Sequence, residues 1–438
     1  GLRNPMEASD SFGADSQEEG PLEKIVITGG KKLSGVVKIS GSKNASLPIL
    51  VATLLTDEDC VVRNVPLLQD VETILALLKI LGKKISHHNK EIRISSTERL
   101  DSEAPYELVK RMRASILVMG PLLGRLGRVR ASLPGGCAIG ARPINLHLQG
   151  FRKLGARVSL DRGYVQLDAP RLHGANIYLD FPSVGATENL MMAATRAKGK
   201  TVIENAASEP EIQDLASFLN KMGAKIMGAG TNIIEIEGVN RLCGTVHEVI
   251  PDRIETGTFM VGAAVTGGSV VIRGANPEHL EAVITKLREA GAKIALNNKE
   301  IRITSGKNLK ATDIETVPYP GFPTDMQAQW MVLMSLGRGT SIITETVFEN
   351  RFLHVGELQR MGSNVQVKGN SAIVKGVPKL SGAPVIATDL RASAALILAA
   401  LAAEGKTEIF GVSHLDRGYE DFEKKLRRLG AKIKRIKE

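Results

Sequence analysis

The chain has 438 residues, of which 43% are apolar, 24% charged and only 4% aromatic, and its formal net charge is +10. That length and composition describe a folded, soluble protein with at least two hydrophobic cores, and they exclude a disordered chain. The longest small-apolar run, 394–403, is too short to span a bilayer, and sparse aromatics leave little for base stacking, so membrane and nucleic acid are not expected partners.

Residues 1–22 are rich in Ser, Gly, Asp and Glu, lack periodicity and begin with no basic-then-apolar secretory signal. They read as a disordered tail or a cloning remnant. The first 24 residues carry six acids and two bases, so the remainder has a net charge of +14, which suits anionic small substrates and solvated lysines. Three widely separated cysteines (Cys60, Cys137 and Cys243) form no CxxC pair, which excludes a zinc ribbon, argues against a disulfide framework and fits a reducing cytoplasm.

A strand is predicted over 23–28. The turn Gly41-Ser42-Lys43-Asn44 then separates a strand from an apolar helix. A lysine there can meet an anion beside a helix N-terminus, although from four residues alone a surface turn is the better reading.

From here a repeat runs to the C-terminus. A helix end, a glycine, a small or basic pair and a strand recur at Gly82, Gly155, Gly223, Gly291, Gly362 and Gly430, spaced 68 to 73 residues apart. Glycine takes the left-handed conformation that ends a helix, and alternating segments such as 84–95 and 293–304 read as hairpins after it. Each unit reads β-α-β-α-β-β. The helices at 326–336 and 392–403 are apolar nearly all round and are expected inside, covered by sheets. The sixth unit lacks a last strand, which 23–28 can supply. Six units divide into two lobes of three, with a ligand cleft between them.

Between units lies Ser132-Leu133-Pro134-Gly135-Gly136-Cys137-Ala138-Ile139-Gly140-Ala141-Arg142-Pro143, a loop by its glycines and prolines. It points to an exposed, reactive Cys137, whereas Cys60 and Cys243 sit in what look like buried strand starts. Charged residues in apolar or tight-turn contexts follow: Arg111 and Arg113, Asp325, then Glu345, Glu349 and Arg351, then Asp389 and Arg391, then His414, Asp416 and Arg417. Helix capping explains Asp325 and Asp389 cheaply, and salt bridges explain several arginines. Arg391 inside an apolar helix is harder to dismiss, because an unpaired buried charge is costly. No phosphate-binding P-loop and no metal-ligand spacing occurs, so neither metal nor cofactor is expected.

The segments "SGSKNASLPIL", "SLPGGCAIGARP", "FPSVGAT", "PDRIETGTF", "FPTDMQAQ", "TETVFENRF", "ATDLRASA" and "DRGYE" together resemble the UDP-N-acetylglucosamine 1-carboxyvinyltransferase family of enolpyruvyl transferases, from about residue 23 onward. The resemblance implies an α/β fold, a two-lobed inside-out α/β barrel of six βαβαββ units, with one domain at 44–249 and the other at 23–43 plus 250–438. It implies transfer of enolpyruvate from phosphoenolpyruvate to the 3-hydroxyl of UDP-N-acetylglucosamine, the first committed step of peptidoglycan synthesis. Lys43, Asn44, Arg142, Arg391 and Arg417 would hold phosphoenolpyruvate. Arg113, Arg142, Pro143, Ile144, Asn145, Leu146, Ser183, Val184, Asp325 and Val347 would hold the sugar nucleotide. Cys137, Asp325, Lys43 and Arg417 would be catalytic, with Cys137 the acid, able also to form a covalent adduct and to react with fosfomycin. No obligate protein partner is implied. Where family members have Asp, this chain has Asn145. The alternatives are the sister enzyme acting on shikimate 3-phosphate, whose "GNAGTA"-type stretch is missing, and a basic binding module.

Overall fold

The computed structural model describes residues 23–96, 99–133, 144–306 and 309–437. The six repeat glycines all have φ between 95° and 108°, which a residue with a Cβ rarely adopts. Each reverses the chain from a helix or helical turn into a strand: Lys83–His88, Arg157–Asp161, Lys225–Met227, Lys293–Asn297, Asn364–Lys368 and Lys432–Lys437.

Five of these strands form a hairpin with the strand that follows. The sixth has none after it. Glu23–Thr28 takes that place, antiparallel between Lys406–Phe410 and Lys432–Lys437, as the truncated last repeat predicts. Among the described residues the result is six four-stranded sheets of one pattern. In the sheet from 176 to 237, for example, Asn176–Tyr178 runs parallel to Lys200–Glu204, which pairs antiparallel with the hairpin strand Ile233–Glu237. Strands alternate: in Ser269–Arg273, Val270 and Ile272 are buried while Ser269 and Arg273 are exposed.

The helices that cross between the parallel strands lie beneath the sheets. Leu390–Ala402 buries every residue from 391 to 401, and Gln327–Ser335 buries all nine, as helices apolar on every side must. The apolar side chains gather into two cores. One draws on residues between Ala45 and Val249, the other on Ile25 to Ile39 together with Ile254 to Ile433. Among the described residues no helix is long and apolar enough to cross a membrane.

Two sheets break the sequential order of the repeats. Ser34–Lys38 pairs in parallel with Ser269–Arg273, and Val246–Glu248 pairs in parallel with Cys60–Arg63, so each sheet takes one strand from a distant part of the chain. The two segments that follow these strands, 39–42 and 249–252, therefore pass side by side. Ser42 N–H donates to the Ile250 carbonyl at 2.7 Å, and Asp252 N–H to the Ser40 carbonyl at 2.9 Å. Asn64 Nδ2 adds a bond to the Val249 carbonyl at 3.0 Å.

The crossing is tight enough to dictate a residue. A Cβ on Gly41 would sit 1.7 Å from the Asn64 carbonyl oxygen, a backbone atom that cannot swing away. Gly41→Ala is expected to lower stability by about 1–3 kcal/mol through this overpacking, read as a lower Tm. An unchanged Tm would show that the crossing yields more readily than its hydrogen bonding suggests.

Candidate active site

Both crossing segments end at a helix. Lys43–Ala52 is capped by Ser42, whose side chain accepts from Ala45 N–H at 3.1 Å. Arg253–Thr266 is capped by Asp252, whose Oδ1 accepts from Ile254 and Glu255 N–H, each at 2.9 Å. The other oxygen of Asp252 accepts from Lys43 N–H at 3.2 Å, so one carboxylate serves two helix N-termini and fixes the backbone of Lys43.

The Lys43 side chain is buried, and its Nζ lies 2.9 Å from Asp70 Oδ2. Burial pushes the ammonium below the usual lysine value, Asp70 opposes this, and Arg391 and Arg417 add to it. Asp70 opens the second turn-and-helix element of its repeat, Gln69–Ile80. Burial would raise its carboxyl, but Lys43 and Arg417 hold it below the ordinary carboxylate range. Arg417 Nε donates to Asp70 Oδ1 at 3.0 Å and Nη2 to Oδ2 at 3.4 Å. This bridge joins a helix of the first core to the C-terminal part of the second. Glu420 adds to the join, accepting from Leu67 N–H at 2.8 Å and from Lys90 at 2.7 Å.

A second group of charges sits beside the first. Asp325 receives Arg351 Nη2 at 2.8 Å on one oxygen and Arg391 Nη2 at 3.3 Å on the other. Burial would raise the Asp325 carboxyl, but Arg391 and Arg351, helped by Lys43, carry it well below the usual range. Arg391 is 4% exposed and lies 5.3 Å from the Tyr419 ring centroid, and its Nη1 has no hydrogen-bond partner among the described residues. Lys43, Arg351, Arg391 and Arg417 thus surround two carboxylates, Asp70 and Asp325.

Two sequence-based expectations need correction. Asp325 does not cap a helix: Gln327–Ser335 has Met326 at its N-cap and no side-chain cap, because the Asp325 carboxylate is held by arginines. Asp389 does cap, accepting from Arg391 and Ala392 N–H at 3.0 Å each. Cys60 is buried at a strand start, but Cys243 is exposed in the loop before Val246–Glu248, its N–H bonded to the Met222 carbonyl. Cys137, Arg142 and Pro143 lie outside the described residues.

The residues assigned to the sugar nucleotide fall in two places. Arg113 opens the 3-10 turn Arg113–Val118, Ile144 is buried just before the helix Asn145–Lys153, Asn145 is exposed and Leu146 half-buried. Ser183 caps Val184–Ala194, accepting from Ala186 N–H at 3.2 Å. Buried His147 draws these together: its Nδ1 lies 3.0 Å from Asn189 Nδ2, whose amide also bonds the Ile116 carbonyl and Gly120 N–H. Burial, and then Arg113, push the His147 imidazole down to about 4, so it is neutral. Val347 lies elsewhere, in the turn after Thr340–Glu345, where its N–H donates to Glu345 at 3.0 Å. Asn44 is half-buried next to Lys43.

Asp70 was not singled out by the sequence. In "LLQDVETIL" it looks like any acid in a first helical turn.

A further buried acid lies near the junction of the cores. Glu188 is 4% exposed, and its Oε1 has no partner among the described residues. Burial raises its carboxyl well above the ordinary range, and Glu211 and Glu209 raise it further. The folded protein thus keeps a proton here that the unfolded chain releases, so this group's contribution falls as pH rises above the ordinary carboxylate range. Glu188→Gln, permanently neutral, is expected to match the native Tm near about pH 4 and to exceed it increasingly toward about pH 8. A Tm difference that does not change with pH would show that Glu188 is ionised in the fold.

A family model described as EPSP synthase (3-phosphoshikimate 1-carboxyvinyltransferase) matches residues 27–426. A UDP-N-acetylglucosamine 1-carboxyvinyltransferase 1 of Caldanaerobacter subterraneus subsp. tengcongensis is 58% identical over 412 residues, covering 94% of this chain and 99% of the relative. A UDP-N-acetylglucosamine 1-carboxyvinyltransferase of Geobacter metallireducens is 56% identical over 417 residues, covering 95% of this chain and all of the relative. Among solved structures, the enolpyruvyl transferase NikO from Streptomyces tendae is similar with a TM-score of 0.87 at 25% identity, covering 96% of this chain and 100% of that one. The EPSP synthase of Acinetobacter baumannii shares the fold, with a TM-score of 0.76 at 20% identity, covering 95% of this chain and 100% of that one.

Proposed function

The chain belongs to the enolpyruvyl transferase family, and on that premise we propose that it transfers the enolpyruvyl group of phosphoenolpyruvate to the 3-hydroxyl of UDP-N-acetylglucosamine. The observation that carries the reading is the cluster of four cations, Lys43, Arg351, Arg391 and Arg417, in a chain of which relatives named for that activity match 94–95%. We place the reaction in the cytoplasm, at the first committed step of peptidoglycan synthesis.

The chemistry accounts for the residue types. The sugar hydroxyl adds to C2 of phosphoenolpyruvate, giving up its proton, while C3 gains one. The tetrahedral adduct then loses phosphate and a C3 proton, which restores the double bond. A phosphate and a carboxylate on one small substrate need several fixed cations to bind and orient them. In this reading Lys43, Asn44, Arg142 and Arg417 hold the phosphate end and Arg391 the carboxylate. Arg113, Arg142, Pro143, Ile144, Asn145, Leu146, Ser183, Val184 and Val347 hold the sugar nucleotide. The site lies in a cleft between lobes 44–249 and 23–43 plus 250–438, and closure excludes water from the adduct.

Asp325 is the base in this reading, yet its carboxyl lies far below the range suited to a base. The substrate resolves the difficulty. When its carboxylate engages Arg391, that guanidinium is shared, and Asp325 regains basicity only with phosphoenolpyruvate in place. Phosphate release should therefore require both substrates, with UDP-N-acetylglucosamine active and shikimate 3-phosphate inert. Asp325→Asn should lower turnover by roughly 10²–10⁴ while leaving sugar-nucleotide affinity within about tenfold. Turnover on shikimate 3-phosphate would give the sister activity instead, and a fully active Asp325→Asn would remove Asp325 as the base.

Cys137 is the acid for C3 in this reading and the thiol that fosfomycin alkylates. Since Cys243 is exposed, selectivity rests on docking of the phosphonate by Lys43, Arg142 and Arg417 rather than on access alone. Peptide mapping should find the label on Cys137 and neither Cys60 nor Cys243. Label on Cys243 would mean that exposure decides.

A further inference from the structure

We infer that Glu345 is a positioning residue that sets Asp325 and the Val347 turn in register with each other; this rests on the reading of the site given above. Glu345 ends the strand Thr340–Glu345 and is 3% exposed, yet both its oxygens are fully engaged. Oε2 accepts from Thr316 Oγ1 at 2.6 Å and from the Val347 and Phe348 N–H groups at 3.0 and 3.3 Å. Oε1 accepts from Thr324 Oγ1 at 2.7 Å and Gln327 Nε2 at 3.3 Å. One buried carboxylate therefore holds the turn that carries Val347 on one side and the residues flanking Asp325 on the other.

Arg351 completes the link. Its Nη1 donates to Thr324 Oγ1 at 3.0 Å, its Nη2 meets Asp325 Oδ1 at 2.8 Å, and its own carbonyl accepts from Gln327 Nε2 at 3.0 Å. The position of the Asp325 carboxylate is thus set through Thr324 and Arg351, of which Thr324 bonds Glu345 directly and Arg351 reaches it through Thr324 and Gln327. A carboxylate suits the place because every group around it is a donor. Thr316 offers a hydroxyl, the turn offers two N–H groups, and Thr324 and Gln327 offer two more donors. No other uncharged or charged side chain of this size accepts on both atoms.

That asymmetry makes the idea testable with two variants. Glu345→Gln keeps one accepting oxygen, which can stay with Thr316 and the Val347 turn, while its NH2 faces the Thr324 and Gln327 donors. The turn survives and the Asp325 side loses its register. Glu345→Ala loses both. A misplacement of about 1 Å costs on the order of 10² in rate, so kcat of Glu345→Gln should fall at least about tenfold with KM for UDP-N-acetylglucosamine held within about threefold. Glu345→Ala should lose kcat at least as far and raise that KM about tenfold. Hydrogen exchange at the Val347 and Phe348 amides, which needs no substrate, should quicken in Glu345→Ala and stay slow in Glu345→Gln.

A Glu345→Ala variant with a lower Tm but native kcat and KM would overturn the inference, as would unchanged exchange at those two amides. Equal effects of both variants on every constant would overturn it too. Wild-type protein inert with UDP-N-acetylglucosamine would instead defeat the reading of the reaction, and the exchange result would still decide whether Glu345 holds the turn.

Discussion

The exchange of strands between two sheets is the constraint from which the site follows. Because Ser34–Lys38 and Val246–Glu248 each finish a sheet built from a distant part of the chain, the chain must pass twice between the cores. The passes pair with each other through Ser40, Ser42, Ile250 and Asp252 and leave no room for a side chain at Gly41. Each then delivers its chain to a helix N-terminus, where unsatisfied N–H groups favour negative charge. Asp252 answers both termini at once, and Lys43 emerges at the junction with its backbone fixed. A lysine on an ordinary surface turn has neither constraint.

Around Lys43 the protein buries charge, which is stable only when paired and hydrogen-bonded. Each of these cations, three buried and Arg417 half-buried, has a carboxylate partner, and the partners come from far apart in sequence: Asp70 for Lys43 and Arg417, Asp325 for Arg351 and Arg391. Breaking such a pair by removing one member typically costs about 3–5 kcal/mol, more than a surface pair is worth. The same bridges tie the two cores, so charge balance and the relation between cores are one problem. Glu420, held by Leu67 and Lys90, spreads that tie over a second point.

The fold was legible because it repeats. Six glycines at near-constant spacing each mark a reversal that sterics allow to few other residues, and the missing last strand of the sixth unit pointed to 23–28. The strand exchange was not legible, since Ser34–Lys38 and Val246–Glu248 carry the same alternation as strands that stay within their unit. At the site, Lys43, Asp325, Arg391 and Arg417 stood out as charges in apolar or turn contexts. Asp70 did not, because an acid early in a helix is common and solvated in most proteins. Its significance comes from burial and from a partner 347 residues away, neither of which local pattern encodes. At Asp325 the position after Pro323 left capping open as the simpler explanation, but two arginines from later in the chain hold its carboxylate instead of the helix terminus.

The pairing also bears on affinity. With Asp70 on Lys43 and Arg417, and Asp325 on Arg351 and Arg391, an incoming dianion does not meet bare cations. Its binding energy is the difference between its own contacts and those it shares or displaces, so strong fixed charges need not give an enzyme that holds substrate and product too tightly to turn over. One donor stands outside this arrangement. Arg391 Nη1 is buried without a partner among the described residues, on a guanidinium otherwise held by Asp325 and the Tyr419 face. A buried donor without an acceptor is costly, and an acceptor that reaches it recovers that cost. In the proposed reading, a substrate carboxylate arriving at Nη1 would recover that cost and, in the same step, draw Arg391 away from Asp325, so that binding phosphoenolpyruvate and freeing Asp325 to act as a base would be a single event.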